Sequence, residues 1–279
     1  MTMKKILFSI PFLPLFLFAA PLQLKVASYN LRTNADKAPN DWVSRAPRAA
    51  AVIRQEKLDI FGTQEVQRWH IKSLTALGYK VTGEAREYTN RAEYSAIFYN
   101  PESFELLNTR TFWLSETPNV PASRSWETAC PRICTYGIFK HKATGKIFLF
   151  ANTHLDHRSA NARLNGVKLI IKELSQFSKD MPIILTGDFN SRPSHEPIKA
   201  ISSFLTDARS IAEKILPGPN GTFNGYKPDF AYQPGRVPID YIFVNRNAVK
   251  IKTFQVIDDF KNGLSSSDHF PVTATVILQ

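Results

Sequence analysis

Apolar and polar positions alternate along this chain with two periods, and those periods predict its elements. From Gln23 to Asn30 the period is two, the mark of a strand with one buried face. Apolar, β-branched and aromatic runs predict strands at Leu58–Thr63, Tyr79–Thr82, Tyr94–Tyr99, Phe104–Thr111, Ile133–Lys140 and Lys146–Thr153. The run beginning at Ile183 and the segments Ile239–Val244, Val249–Ile257 and Val272–Leu278 add four more. The turn His141-Lys142-Ala143-Thr144-Gly145 makes a hairpin of the strands on either side of it. Between Asn161 and Phe177 the period changes: Leu164, Val167, Ile170, Ile171 and Leu174 have the spacing of a core-facing helix. Pro47–Glu56, with proline near its first turn, Trp69–Leu77, closed by Gly78, and a short piece near Glu196–Ser203 complete the helices. Leu216–Gly235 is rich in Pro, Gly and Asn and reads as loop. Many strands with few helices, and no repeat or linker, predict one α/β sandwich over residues 22–279, two sheets face to face with helices outside.

Residues 1–20 break this pattern. Lys4 and Lys5 precede an apolar run from Ile6 to Ala20, interrupted only by Ser9, Pro11 and Pro14. That is the layout of a secretory signal peptide, too short and proline-broken for a comfortable membrane span. Small residues at Ala19-Ala20 offer a cleavage point, although Pro21 follows; an uncleaved N-terminal anchor is the other reading. The expected location is therefore exported, periplasmic or secreted. No later segment is expected to span a bilayer.

Composition is that of an ordinary globular chain, 43% hydrophobic and 21% charged over 279 residues. The net charge of +11 favours acidic partners such as nucleic acid or anionic lipid, but the lysines and arginines are dispersed and serve solubility equally well. The two cysteines, Cys130 and Cys134, would lie roughly 13 Å apart in a continuous strand, so only a turn would allow a disulfide. Two thiols alone are too few for structural zinc.

Chemistry gathers at strand ends. Gly187 closes the Ile183 run, and Asp188 and Asn190 follow two positions apart, so in extended chain their side chains project together. The same residues also suit an Asx turn. Asn30, Glu65, Asn152-Thr153-His154, Asp240 and Asp268-His269 occupy similar places, where loops on a rigid scaffold carry function. Taken singly, each has a structural alternative, such as a helix-start carboxylate for Glu65 or a core histidine for His154 and His269.

Ser28-Tyr29-Asn30, Thr63-Gln64-Glu65, Asn152-Thr153-His154-Leu155, Gly187-Asp188-Phe189-Asn190, Ile239-Asp240-Tyr241 and Ser267-Asp268-His269 occur in that order. This set resembles the motifs of the endonuclease/exonuclease/phosphatase superfamily, which has the DNase I-like fold, and the likeness runs from about Val26 to Val276. Phe112-Trp113-Leu114-Ser115-Glu116-Thr117-Pro118 and His154-Leu155-Asp156-His157 further resemble a bacterial, often exported branch. The resemblance implies a four-layer sandwich of two face-to-face mixed β-sheets flanked by helices. It also implies a metal held by Glu65, Asn30 and Asp268. Hard oxygen ligands suit Mg²⁺, with Mn²⁺ or Ca²⁺ as substitutes. Zinc at His154 and His157 is the alternative, although their spacing has no matching second pair.

By the same resemblance Asp240 orients His269, and either His269 or Asp188 is the base that activates water. Asn190 and His154 are expected to donate to phosphoryl oxygens. Arg32 and Arg132 are candidate phosphate contacts or solvated charges; Asp156 and His157 are candidate substrate contacts or caps of the following helix. Thr222-Phe223-Asn224-Gly225 resembles a family Thr-Phe-His-Gly motif with Asn in place of His; if that position touches substrate, a preference inferred from relatives does not carry over. The four tryptophans, Trp42, Trp69, Trp113 and Trp126, are a stacking platform or core packing.

The leading expectation is an exported, Mg²⁺-dependent phosphoester hydrolase acting on a phosphodiester or phosphomonoester. A nuclease would use the basic surface; a phosphatase of small phosphorylated metabolites needs only a local cation cluster. A non-catalytic binding protein on the same scaffold is the second class. A phosphorylated substrate, nucleic acid among the candidates, is the expected partner, and no obligate protein partner is implied.

Overall fold

A computed structural model describes residues 21–177 and 181–279; the leader expected at 1–20 lies outside them. The first half runs β1 (Leu22–Asn30), α1 (Trp42–Glu56), β2 (Ile60–Val66), α2 (Arg68–Thr75), β3 (Lys80–Thr82), β4 (Tyr94–Tyr99), β5 (Phe104–Trp113) and β6 (Ile133–His141). Then come β7 (Ile147–His154), α3 (Ala160–Leu174), β8 (Ile183–Asp188), α4 (Glu196–Ser202), β9 (Thr206–Asp207), α5 (Ala208–Ile211), β10 (Lys214–Ile215), β11 (Asp240–Val244), β12 (Val249–Val256) and β13 (Val272–Leu278). One sheet has the order β10-β12-β13-β1-β2-β4-β3 and the other β5-β6-β7-β8-β11-β9. Both mix parallel and antiparallel neighbours.

The expected sandwich is present, and strand periodicity explains its four layers. Odd and even positions of each strand face opposite ways. On β1, Ala27 and Tyr29 pack against Ala49, Val52 and Ile53 of α1, while Leu22, Leu24 and Val26 join the core between the sheets. On β8, Ile183 and Leu185 meet Val167, Ile170 and Leu174 of α3, and Ile184 faces the other sheet. Among the described residues, no helix is long and apolar enough to cross a membrane. Helix α1 starts five residues earlier than its proline predicts, because the Asp41 carboxylate caps it by accepting from the Ser44 N–H (2.8 Å). Pro47 then sits inside the helix at the cost of one backbone bond.

The inner faces change character along the strands. Apolar at one end, they become neutral and polar at Ser28, Gln64, Asn152 and Thr186, all fully buried. Gln64 Nε2 donates to Asn152 Oδ1 (2.6 Å), which also accepts from Thr186 Oγ1 (3.0 Å), and Asn152 Nδ2 donates to the Thr63 and Ala96 carbonyls (2.7 and 3.0 Å). This layer bonds the two sheets to each other and supports the charged residues one strand step beyond. Gly62 makes room for it: a Cβ there would stand 2.1 Å from Thr186 Oγ1 and 2.5 Å from Asn152 Oδ1. Gly62→Ala is therefore expected to destabilise the protein by about 1–3 kcal/mol through overpacking. At roughly 2–4 °C per kcal/mol for a domain of this size, calorimetry should show the melting midpoint several degrees lower. An unchanged midpoint would mean that the layer yields without strain.

Candidate active site

Where the inner faces become charged, the two sheets open into a cleft of ≈ 330 Å³. Topology brings its residues to one edge. On parallel strands, His154 of β7 is the register partner of Asp188 on β8; on the other side, antiparallel β11 places Asp240 opposite Asp188. Asn30 ends β1 beside Gln64 of β2, and the loop entering β13 carries Asp268 and His269. His154, Asp188, Asn190, Glu65, Asp268, His269, Arg32, Arg132 and His157 all line the cleft. Asn30 and Asp240, both buried, stand directly behind it. The scattered motifs do converge.

Asp188 is the hub. Its Oδ2 accepts from Asn30 Nδ2 (3.0 Å) and lies 3.5 Å from His154 Nε2 and 3.9 Å from His269 Nε2; its Oδ1 accepts from the Asn190 N–H (2.9 Å). His269 Nδ1 is bonded to Asp240 Oδ2 at 2.9 Å, which aims Nε2 at Asp188. Burial and then the neighbouring Asp240 carboxylate push the Asp188 carboxyl up, to about 7. Burial alone would lower the His269 pKa, but the Asp240, Asp188 and Asp268 charges outweigh it and raise the imidazole well above its usual value. His154 goes the other way: burial, then the Arg132 and Arg86 cations, hold it well below its usual value and therefore neutral. Asn190 Nδ2 donates to the Leu155 carbonyl (3.0 Å) and faces His154 Nε2 at 3.1 Å, so the neutral ring accepts there.

At the other end of the cleft, Glu65 and Asp268 flank one guanidinium. Arg32 Nη1 is 3.8 Å from Glu65 Oε2 and its Nε 3.7 Å from Asp268 Oδ2, while Nε and Nη2 bond Asp36 at 3.0 and 3.3 Å. Asn30 Nδ2 donates to Glu65 Oε1 (3.1 Å). Burial raises the Asp268 carboxyl, and Glu65 adds to the rise. Two mostly buried carboxylates that repel each other, with a cation drawn between them, fit a hard divalent ion. Asp188, Asp240 and His269 also offer ligand atoms within 4.8 Å of one another, but the Asp240–His269 hydrogen bond already occupies two of those groups.

Three of the expected residues adopt left-handed backbone: Arg32 (φ 51°), Glu65 (φ 59°) and Asn190 (φ 46°). Such conformations cost energy for a residue with a side chain and cluster at functional sites. For Glu65 the consequence is direct. The β2–β4 register shifts between Thr63 and Val66, and this irregularity turns Glu65 into the cleft although its neighbour Gln64 already fills the inner face. The Thr33 N–H then donates to Glu65 Oε2 (3.0 Å).

Arg45 carries no sequence signal, yet it ties the site together. Its fully buried guanidinium donates to the carbonyls of Asn40, Leu31, Ser266, Arg32 and Thr33 at 2.6–3.0 Å. It thereby fastens the loop after Asn30 to the loop that carries Asp268. Arg86 and Glu93 also line the cleft and carry no motif.

Asp156, a candidate substrate contact, is turned away from the cleft. It is 1% exposed and accepts from Thr128 Oγ1, from the N–H groups of Ala129, Arg158 and Ser159, and from Arg132 Nε at 3.5 Å. Burial would raise its pKa, but these donors bring it down to about 2. Its role is to order the loop before α3, whose cap is Ser159. His157 stays in the cleft with Nδ1 2.9 Å from Arg132 Nη2, a cation that disfavours a zinc ion at that ring. Both cysteines are free thiols. None of the four tryptophans lines the cleft; Trp42 and Trp113 are buried and Trp69 packs against the cluster beneath α1, while Asn224 is buried, with Nδ2 on the Ser267 carbonyl (3.2 Å).

The sequence profile of the Endonuclease/Exonuclease/phosphatase family matches residues 27–269. The chain belongs to the endonuclease/exonuclease/phosphatase family. Members of this family are phosphoester hydrolases, and the two-sheet sandwich is their DNase I-like fold. Among solved structures, a family protein from Bacteroides thetaiotaomicron is 36% identical with a TM-score of 0.84, over 93% of this chain and 96% of that one. A mannosyl-6-phosphatase of the same organism is also 36% identical, TM-score 0.84, over 91% of this chain and all of that one. Protein angel of Drosophila melanogaster is 29% identical over 73% of this chain, which spans 60% of the length of that relative.

Proposed function

We propose that the protein is a divalent-metal-dependent phosphomonoesterase of this family, acting on small phosphorylated metabolites such as sugar phosphates. The observation that carries the reading is the facing pair Asp188 and His269, 3.9 Å apart, beside the Glu65–Asp268 carboxylates in one small cleft. The small volume of the cleft, and a 36% identical neighbour that is a mannosyl-6-phosphatase, favour a compact ester over a polymer. The lysines and arginines are dispersed along the sequence, with no run of five or more.

Glu65 and Asp268 would hold the cation, with Asn30 beside them; few carboxylates and no soft ligands suit Mg²⁺, with Mn²⁺ or Ca²⁺ as substitutes. When bound, it supplies charge neutralisation at the phosphoryl and leaving oxygens. The rest falls to side chains. Asp188, raised toward neutrality, has the affinity to take a proton from a water that bridges it and His269 from the open side of the cleft. His269, held protonated by Asp240, is placed to donate to a phosphoryl oxygen, which favours Asp188 as the base. Arg32 and Arg132 supply further positive charge in the cleft. Asn190 can serve as a donor once substrate replaces His154 as its partner. The cationic, apolar leader at 1–20 supports export as part of this reading.

The test is a panel of sugar phosphates, nucleotides, phospholipid headgroups and nucleic acids, assayed with Mg²⁺, with a chelator, and after metal is restored. Phosphomonoesters should be cleaved fastest, chelation should abolish turnover, and Mg²⁺ should recover it. Fastest cleavage of DNA or RNA, with a rate falling steeply as salt rises, would overturn the small-substrate reading.

A further inference from the structure

The cleft wall contains one charged pair that none of these steps uses. Arg86 and Glu93 make two parallel bonds, Nη1 to Oε2 at 2.7 Å and Nη2 to Oε1 at 2.8 Å. They stand at the base of the loop between β3 and β4, which is pinned by the Arg86 N–H to the Glu93 carbonyl (2.9 Å) and by a bridge between Ala85 and Tyr94. The Arg86 carbonyl also accepts from Trp113 Nε1 (2.8 Å), so the pair is fixed in position. Both side chains are mostly buried, 14% and 16% exposed, yet both line the same cleft as Asp188 and His269. Burial raises the Glu93 carboxyl above its usual range, with Arg86 opposing the rise.

A buried ion pair is a costly way to gain stability, because desolvation offsets much of the attraction. Its chemistry points to a ligand instead. Glu93 and Arg86 neutralise each other, so the pair has no net charge to draw a phosphate and, with its carboxylate bound by Arg86, is not set up as a metal ligand as Glu65 and Asp268 are. It suits a neutral group that donates hydrogen bonds. A planar bidentate pair sets acceptors beside donors at fixed spacing, the pattern that two adjacent hydroxyls of a sugar ring complement. Arg132 and His157 continue the polar wall. A cleft of ≈ 330 Å³ lies at the small end of ligand sites, which span about 300–1,000 Å³.

We infer that Arg86 and Glu93 form a leaving-group subsite that grips vicinal hydroxyls of a sugar phosphate. This rests on the phosphomonoesterase reading above and adds the recognition element to it. The test compares a hexose 6-phosphate with p-nitrophenyl phosphate, which has no hydroxyls to grip, in wild type, Glu93→Gln and the double variant Arg86→Met/Glu93→Leu. The double variant leaves no lone buried charge and guards against simple misfolding. The ratio of kcat/KM for the sugar ester to that for the aryl ester should fall about 10–100-fold in both variants, mostly through KM. Free hexose should compete with the aryl ester in wild type and lose that effect in the variants. An unchanged ratio, or wild type that cleaves the aryl ester but not the sugar phosphate, overturns the subsite and leaves the phosphomonoesterase reading standing. Wild type that cleaves neither ester, with metal present, overturns both.

Discussion

His269→Ala is expected to lower kcat for a phosphomonoester about 10³-fold, and Asp240→Asn is expected to move the whole pH profile toward acid. The first effect follows from losing the proton donor that faces Asp188, within the range measured for such groups. The second follows from the position of Asp240, which raises the affinity for protons of both neighbours. In wild type the active form has Asp188 ionised and His269 protonated. Activity should therefore rise with pH as Asp188 loses its proton, near about 7, and fall at higher pH as His269 loses its own. Removing the Asp240 charge favours the ionised form of Asp188 and disfavours the charged form of His269, so both pKa values fall and both limbs shift to lower pH. The two limbs report the coupled pair rather than either residue alone. Profiles of kcat/KM between about pH 5 and 10 measure this directly. Limbs that stay in place would show that Asp240 does not act through charge. A His269→Ala enzyme at full rate would remove the histidine from the reaction.

The site was largely legible because a strand writes its inner face into every second residue. Leu22, Leu24, Val26, Ser28 and Asn30 are one such series, and Ile184, Thr186 and Asp188 are another. Each changes from apolar to polar toward the same end of the sandwich, so residues far apart in sequence could be expected at one edge. Features that break the period were not legible in the same way. Glu65 was found through its motif, but the shifted register and left-handed backbone that turn it into the cleft have no local signal. Arg45 reads as one surface arginine of many, since the carbonyl at Ser266 that it holds is 221 residues away. Arg86 and Glu93 lie in a polar stretch with no periodicity, and the backbone bond and bridge beneath their loop bring them together. The short elements between Thr206 and Ile215 were missed because two- to four-residue segments carry too little pattern. For Asp156, by sequence a substrate contact or a cap of the following helix, the structure selects the second kind of role: it is an internal hub for backbone donors ahead of α3.

Glu65→Ala should remove the response to divalent cation and lower turnover at least about 10³-fold, the larger part of the metal's contribution to charge neutralisation. The fold itself should tolerate the change. Asn30 keeps Asp188 as an acceptor, and Arg32 keeps Asp36 and Asp268, so only the Thr33 N–H loses its sole acceptor. One such bond is worth about 0.5–1.5 kcal/mol net, a shift of a few degrees at most. Loss of a repelling neighbour should also relax the raised Asp268 carboxyl. Thermal unfolding with and without Mg²⁺ separates binding from chemistry. Wild type should gain stability as Mg²⁺ is added, since a ligand bound only to the folded state raises its midpoint. Glu65→Ala should show no gain over the same range, whereas His157→Ala should keep it if zinc chemistry at that ring plays no part. If Glu65→Ala retains both the cation response and turnover, the carboxylates flanking Arg32 do not form the metal site. Asp188, Asp240 and His269 then become the ligand set to test next, since their donor atoms lie within 4.8 Å of one another.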